Sequence, residues 1–317
     1  MSPASTHKVS LLRDRAEMLQ KARNFFAERK ILEVDCCALT RCAPIDAYID
    51  IIAAAPSDTE IGYLHTSPEY AMKRLLAQGM GDIYYLGHVF RKGELGEKHN
   101  PEFTMAEWYR VNFSFEQMME ETCEFLFLFL GALPKRKISY REAFTSFLGI
   151  DYSKATLAEL RPIAKRFSIE LPSDTSTWTE DTYLHLYLTH IIEPNLGRGE
   201  LTILTDYPPY EAALACVVER NGERVAERFE IYHQGVELTN GYHELRNPQE
   251  QRLRFHEENK ERISLGKESY PLDEKFLAAL GAMPECCGVS VGIDRALMLR
   301  HKLKSIHDVM PLAWHES

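Results

Sequence analysis

Two apolar runs, IYYLGHVF ending at Phe90 and EFTMAEWYRV at 102–111, enclose a stretch crowded with charge, RKGELGEKHNP. The runs predict strands over 82–90 and 102–111, and a plain hairpin between them would need only about two to five residues. The connection here is longer, and it carries side chains that can grip an anion: Arg91, Lys98 and His99. At a strand end the planar fork of Arg91 can hold two phosphate oxygens. On the returning strand Phe103 offers a flat face for a base. The bland alternative is a solvated hairpin tip with one core phenylalanine.

Elsewhere the pattern is of strands in adjacent runs and helices in a separate block. Residues 10–30 repeat apolar side chains at three- and four-residue steps (Leu11, Leu12, Met18, Leu19, Ala22, Phe25, Phe26). A strand-like ILEV follows. Ser67 is placed to cap a helix with Pro68 at its first position and Glu69 in its first turn. Helical periods run through 114–131, 139–148, 156–167 and 179–192. Strands return at 201–206, 213–218, 225–232 and 235–240, followed by a polar helix over 248–266 and a Gly-bearing strand that runs into a helix, GVSVGIDRALMLRHKL. This order predicts an α+β fold on an antiparallel sheet rather than a doubly wound one.

Composition limits the partners. The formal net charge is −10, and the basic cluster Lys135-Arg136-Lys137 reads as a solvated linker, so a broad nucleic-acid footprint is disfavoured. The seven cysteines form no CxxC pair, which suits reduced thiols and supports no zinc site. The first residues lack the apolar core of a secretory signal, and the apolar stretch Phe125 to Leu133 is too short to cross a bilayer.

Two further segments could carry chemistry. In GVELTNGYHEL, Asn240-Gly241 is a tight-turn signal. A turn there would set Glu237 opposite Glu244, and the repulsion would be relieved by a cation between them, Mg²⁺ or a substrate ammonium. Both glutamates facing water is the alternative. In GVSVGIDR the small residues allow a ligand near the backbone, and Arg295 opens a helix within reach of a phosphate. This is not the dinucleotide fingerprint, because its third glycine and acidic partner are missing.

Together these segments resemble a known family. FRKGELGEKHNPEFTMAEWY resembles motif 2 of the class II aminoacyl-tRNA synthetases, and GVELTNGYHEL and GVSVGIDRALML resemble the segments around motif 3. TSPEYAMKRLL, residues 66–76, is similar to the amino-acid-binding helix of the lysine and aspartate branch. Lysyl-tRNA synthetases carry an oligonucleotide-binding β-barrel before the catalytic core, whereas the motif 1-like helix here begins near residue 10. The chain is therefore similar to the free-standing branch whose members join (R)-β-lysine to a lysine of elongation factor P. The resemblance implies one catalytic domain over 1–317 with a helical insertion at about 113–200 and no anticodon-binding barrel. It also implies a cytoplasmic homodimer that uses ATP and Mg²⁺, a lysine isomer and a protein acceptor, with neither tRNA nor a membrane as partner.

The same resemblance assigns roles. Arg91 and Arg295 would be catalytic, stabilising charge on the α-phosphate and holding the β/γ end with His99. Phe103 would stack on adenine, Asn100 would order the loop, Leu238 would line the nucleotide site and Gly292 would let the nucleotide lie against its strand. Glu237, with Glu244, would face the metal. Glu244 and Glu69 would grip substrate amino groups, with Ser67, Tyr109 and Ser290 beside them.

Three departures from the family pattern stand out. The motif 1 strand lacks its following proline, Leu32-Glu33-Val34-Asp35 leading instead to Cys36-Cys37. The Arg-x-Glu of motif 2 reads Arg91-Lys92-Gly93-Glu94, so either Glu94 or the backbone of Gly93 contacts ATP. Ser290 stands where lysyl synthetases carry glycine, which biases the pocket away from α-lysine. The competing readings are a minimal synthetase acting on tRNA, an ammonia-using amide-forming relative and a non-enzymatic amino-acid sensor.

Overall fold

The computed structural model describes residues 3–317, with side chains from residue 7 onward. In chain order it runs α1 (Pro3–Glu28), β1 (Leu32–Glu33), β2 (Leu39–Thr40), β3 (Ile52–Ser57), β4 (Glu60–Leu64), α2 (Glu69–Ala77), β5 (Ile83–Phe90), β6 (Glu102–Val111) and α3 (Phe115–Leu130). Next come β7 (Lys135–Ser139), α4 (Tyr140–Leu148), α5 (Leu157–Arg166), α6 (Glu180–Tyr187), β8 (Leu201–Tyr207), β9 (Val217–Arg220), β10 (Glu223–His233) and β11 (Val236–His243). The chain closes with α7 (Pro248–Ser264), α8 (Glu274–Leu280), β12 (Cys286–Gly292) and α9 (Ile293–Arg300). The described residues divide into two compact units, one of residues 3–132, 213–216 and 241–317, the other of 133–212 and 217–240.

The first unit is built on β6. It pairs antiparallel with β5 (Ile83↔Tyr109 through Phe90↔Glu102) and with β12 (Cys286↔Val111 through Gly292↔Met105). Strand alternation then sorts its side chains onto two faces. Trp108 and Tyr84 point to the helices: Phe26 of α1 stacks on Tyr84 at 4.1 Å, and Phe125 of α3 lies 5.1 Å from Trp108. The opposite face, with Tyr85, Met105 and Tyr109, packs in one cluster with Tyr70 and Met72 of α2 and Phe276 of α8. The Tyr70 and Phe276 rings stack at 4.1 Å. β1 joins β5 in parallel, so the sheet is mixed though mostly antiparallel.

A small second sheet in this unit, ordered β2-β4-β3, escapes a search for alternation because β3 reads IAAAPS, alanines with a proline. The α2 start lies one residue later than expected: Pro68 flanks the helix, while Ser67 Oγ accepts from the Glu69 amide at 3.0 Å.

In the second unit β10 pairs antiparallel with β8 and β9, and β7 pairs parallel with β8. Lys135-Arg136-Lys137 is thus an edge strand with exposed side chains, not a linker. Charge suits an exposed edge, where it discourages pairing with another chain. The strand expected at 213–218 forms later, at Val217–Arg220.

The Asn240-Gly241 expectation is overturned. Both residues lie inside β11, and the chain reverses at Gln234-Gly235, which have φ of +51° and +68°. Only glycine fits the second position, since a Cβ there would sit 2.9 Å from the carbonyl oxygen of Pro194. Glu237 and Glu244 therefore follow one extended run and do not oppose each other across a turn.

Candidate active site

The long loop between β5 and β6 is tied at its base. The Arg91 amide donates to the Pro101 carbonyl at 2.8 Å, and the Lys92 amide to the Asp50 carbonyl at 2.8 Å. Asp50 is itself held by the buried Arg262, 2.9 Å from its carboxylate. Farther out, Gly96 and His99 exchange backbone hydrogen bonds. Asn100 donates to the Glu102 carbonyl at 2.7 Å and accepts from the Trp314 amide at 3.0 Å.

These ties bring two guanidinium groups together from distant parts of the chain. Arg295 Nη2 lies 2.7 Å from His99 Nε2, and its Nε donates to the Lys98 carbonyl at 3.3 Å. Burial, reinforced by Arg295 and Arg91, lowers the His99 pKa, so the ring is neutral and can accept from Arg295. Arg91 stands 5.0 Å from the centroid of Phe103, and its Nη1 lies 3.5 Å from Glu94. The Arg91 Nε is buried and has no hydrogen-bond acceptor among the described residues. An unsatisfied buried cationic donor is destabilising by itself and fits an incoming anion. Gly93 is exposed, with φ +78°. A Cβ on Gly292 would meet nothing closer than Arg295 Cδ at 3.8 Å, which leaves the strand end open.

The position of Arg295 depends on its neighbour. Asp294 accepts from Arg15 of α1 at 2.5 Å and from the Thr104 amide at 2.7 Å, and Arg15 also donates to Thr104 Oγ1 at 2.6 Å. Three buried polar groups from α1, β6 and α9 thus satisfy one another and lock the start of α9.

On the same face of β6 as Phe103 lie Glu107 and Tyr109, opposite Ser290 and Gly288 of β12. The Tyr109 hydroxyl donates to Glu107 Oε1 and the Ser67 hydroxyl to Glu107 Oε2, both at 2.9 Å. Lys73, one turn along α2 from Glu69, is only 1% exposed. Its ammonium lies 2.5 Å from Glu69 Oε1 and 2.6 Å from Glu244 Oε2. Glu244 enters from the end of β11, its amide bonded to the Cys286 carbonyl at 3.1 Å. A Cβ on Gly288 would lie 2.4 Å from both Glu244 Oε1 and Tyr109 Cε1, so glycine alone allows that approach.

Charge in this cluster is tightly balanced. Burial, with Glu69 nearby, pushes the Glu107 carboxyl up to about 8. Burial by itself would pull the Lys73 ammonium down, but Glu244 and Glu69 outweigh it and hold its pKa above the ordinary value. Burial pushes Glu244 up to about 7 while Lys73 pulls the other way. With an ammonium at 2.6 Å, the ion pair is the state the geometry supports.

The sequence-based site residues of the first unit fall into these two groups: Arg91, Gly93, Glu94, His99, Asn100, Phe103, Gly292 and Arg295 in one, Ser67, Glu69, Tyr109, Glu244 and Ser290 in the other. Glu237 and Leu238 belong to the second unit, where Glu237 is close enough to Glu193 to raise its pKa and Leu238 is buried. Glu244 is paired with an ammonium that a dication would repel, and no group of three metal-ligating side chains occurs among the described residues.

Sequence reasoning passed over Glu107, Lys73, Gly288 and the Arg15–Asp294 clamp. A signal for Glu107 existed: a lone acid inside the apolar run FTMAEWY, two residues from Tyr109 and so on its face. Lys73 reads as an ordinary i,i+4 partner of Glu69. Nothing local marks it as buried.

Comparison with known proteins places the chain in a family. The family described as tRNA synthetases class II (D, K and N) matches residues 4–315. The elongation factor P–(R)-β-lysine ligase of Proteus mirabilis (strain HI4320) is 39% identical over 308 residues, covering 95% of this chain and 94% of its own. The ligase of the same name from Vibrio vulnificus (strain YJ016) is 40% identical over 302 residues, covering 93% and 92%. That from Vibrio cholerae serotype O1 is also 40% identical over 302 residues.

Proposed function

The chain belongs to the class II tRNA synthetases of the aspartate, lysine and asparagine group, and from that membership we propose that it activates a lysine isomer, (R)-β-lysine, with ATP and joins it to a lysine side chain of elongation factor P. One observation carries the reading. A single face of β6 holds Phe103 beside the unsatisfied Arg91 and, four residues on, Glu107 in the carboxylate cluster. At roughly 3.4 Å per strand residue the two ends are about 14 Å apart, a span that suits an aminoacyl-AMP.

In this reading the amino-acid carboxylate attacks the α-phosphate, diphosphate leaves and a mixed anhydride forms. Arg91 meets the charge that builds on phosphorus, using the Nε that otherwise lacks an acceptor. Arg295, oriented by neutral His99, holds the leaving end. Phe103 offers its ring to adenine, and Gly93 or Glu94 contacts the nucleotide. Glu69, Glu107 and Glu244 receive the substrate ammonium groups, since buried cations need partners. The acceptor amine, deprotonated, then attacks the acyl carbon, and AMP leaves. Mg²⁺ would come with the nucleotide phosphates and offset their charge; Glu244, already paired with Lys73, is withdrawn from holding it. The enzyme works in the cytoplasm as a homodimer without tRNA, its chain acting as one catalytic module.

The test is to incubate the protein with ATP, Mg²⁺ and each lysine isomer, offering elongation factor P or tRNA as acceptor. The mass of the factor should rise by one lysyl unit. Charged tRNA with an unmodified factor would overturn the proposal.

A further inference from the structure

We propose that Lys73 is a positioning residue that holds Glu69 and Glu244 as a charged, aligned pair for the ammonium groups of the substrate. The inference rests on the amino-acid activation proposed above and extends it to a side chain to which that reading gives no role.

Lys73 is 1% exposed, and its ammonium is within 2.5 Å of Glu69 and 2.6 Å of Glu244. It comes from the middle of α2, whereas its partners come from the first residue of that helix and from the end of β11. One ammonium therefore fixes the separation of two carboxylates on different elements. Glu69 is placed further by Ser67, which bonds its amide and also Glu107. Glu244 Oε1 is buried, lacks a hydrogen-bond partner among the described residues and lies over the bare Cα of Gly288. That atom is the acceptor left for a substrate ammonium.

Charge counting points the same way. Three carboxylates against one ammonium leave two negative charges when Glu107 is ionised, which matches a substrate with two ammonium groups. Without Lys73, Glu69 and Glu244 would confront each other in a dry site, and one of them would take up a proton. The other titratable groups facing the cluster cannot replace the missing cation. Tyr85 on β5, Tyr109 on β6, Cys36 and Cys286 are all raised, burial first, and stay neutral near pH 7. His243 also lowers the Glu244 pKa through its positive charge, but less than Lys73 does.

The experiment measures the amino-acid KM of the whole enzyme by lysine-isomer-dependent pyrophosphate exchange between pH 6 and 8.5. In wild type one ionisation, that of Glu107, should govern KM, with log KM falling by about one per pH unit. In Lys73→Met the slope should approach two, so that KM is raised at least tenfold at pH 7 and recovers at pH 8.5, while the ATP KM stays within about threefold. Lys73→Arg should restore the wild-type slope. Should Lys73→Met fail to fold, the double variant Lys73→Met/Glu69→Gln removes the like-charge pair, and its slope should return to about one. An unchanged slope in Lys73→Met, a uniform loss of kcat that alkaline pH does not relieve, or a slope near two in the double variant would each reject the role of Lys73. Absence of exchange with any diammonium amino acid in wild type would bring down the underlying reaction as well.

Discussion

The two ends of the β6 face solve opposite electrostatic problems. At the Phe103 end two half-buried arginines, one from the loop and one from α9, flank a neutral histidine. At the Tyr109 end one ammonium is shared by two carboxylates, Glu69 and Glu244, with Glu107 held beside them by two hydroxyls, all at most 9% exposed. This end can gather like charges because water still reaches and screens them. The buried end cannot, and it carries its own counter-ion. The difference teaches that cationic side chains can gather where water still reaches them, while acids gathered in a core need an internal cation to hold them apart.

The harshest test of this contrast is Arg91→Ala. Adenylation should fall on the order of 10²–10³-fold, as for loss of a preorganised charge-stabilising donor, while calorimetry still detects the amino acid. Undiminished pyrophosphate exchange would refute the division of labour. Gly288→Ala attacks the other end. The added methyl would lie 2.4 Å from Glu244 and Tyr109, so the amino-acid KM should rise about ten- to hundredfold with the ATP KM unchanged. Overpacking should also remove ~1–3 kcal/mol of stability in a denaturant titration.

A smaller effect sharpens the comparison through pH. Glu107 is pushed up from an ordinary value near 4.5 to about 8, so between those values the folded protein holds a proton that the unfolded chain releases. The contribution of Glu107 to the stability of the ligand-free protein should therefore decline as pH rises from about 4.5 toward 8. A bound diammonium substrate favours the ionised form and should reduce that decline. Thermal melts across the range, with and without lysine isomers and alongside Glu107→Gln, would show it; identical slopes in the two proteins would contradict the assignment. The smallest effect is expected at Ser290, which faces Glu107 across the strands. Ser290→Gly should shift the kcat/KM ratio of the two lysine isomers a few-fold toward α-lysine, and equal ratios in variant and wild type would remove Ser290 from specificity.

The two ends also differed in how readily they could be read. Arg91, His99 and Phe103 stood out because a charged loop between two apolar runs is conspicuous in one dimension, and β5 and β6 formed where those runs placed them. Ser67 and Glu69 were visible as the opening of a helix. Lys73, on the same helix, was not, since an i,i+4 salt bridge usually faces solvent. The Asn240-Gly241 turn failed for a related reason. The local signal for a reversal was real, but β11 has ladder partners on either side, and the chain had already turned at Gln234-Gly235. The Lys135–Ser139 strand was missed because three charges hide the β period until β8 supplies a partner.

By itself, then, the order of residues determined the secondary elements with strong periods, the charged loop between β5 and β6 and the acids Glu69 and Glu244. Those depend on neighbours a few positions apart. Only the tertiary structure decided that Glu69, Lys73, Glu107 and Glu244 share one dry site, that Asp294 is clamped by Arg15 and that Gly288 must lack a side chain. Ionisation and close approach depend on which surfaces exclude water together, and that becomes known when distant strands and helices have met.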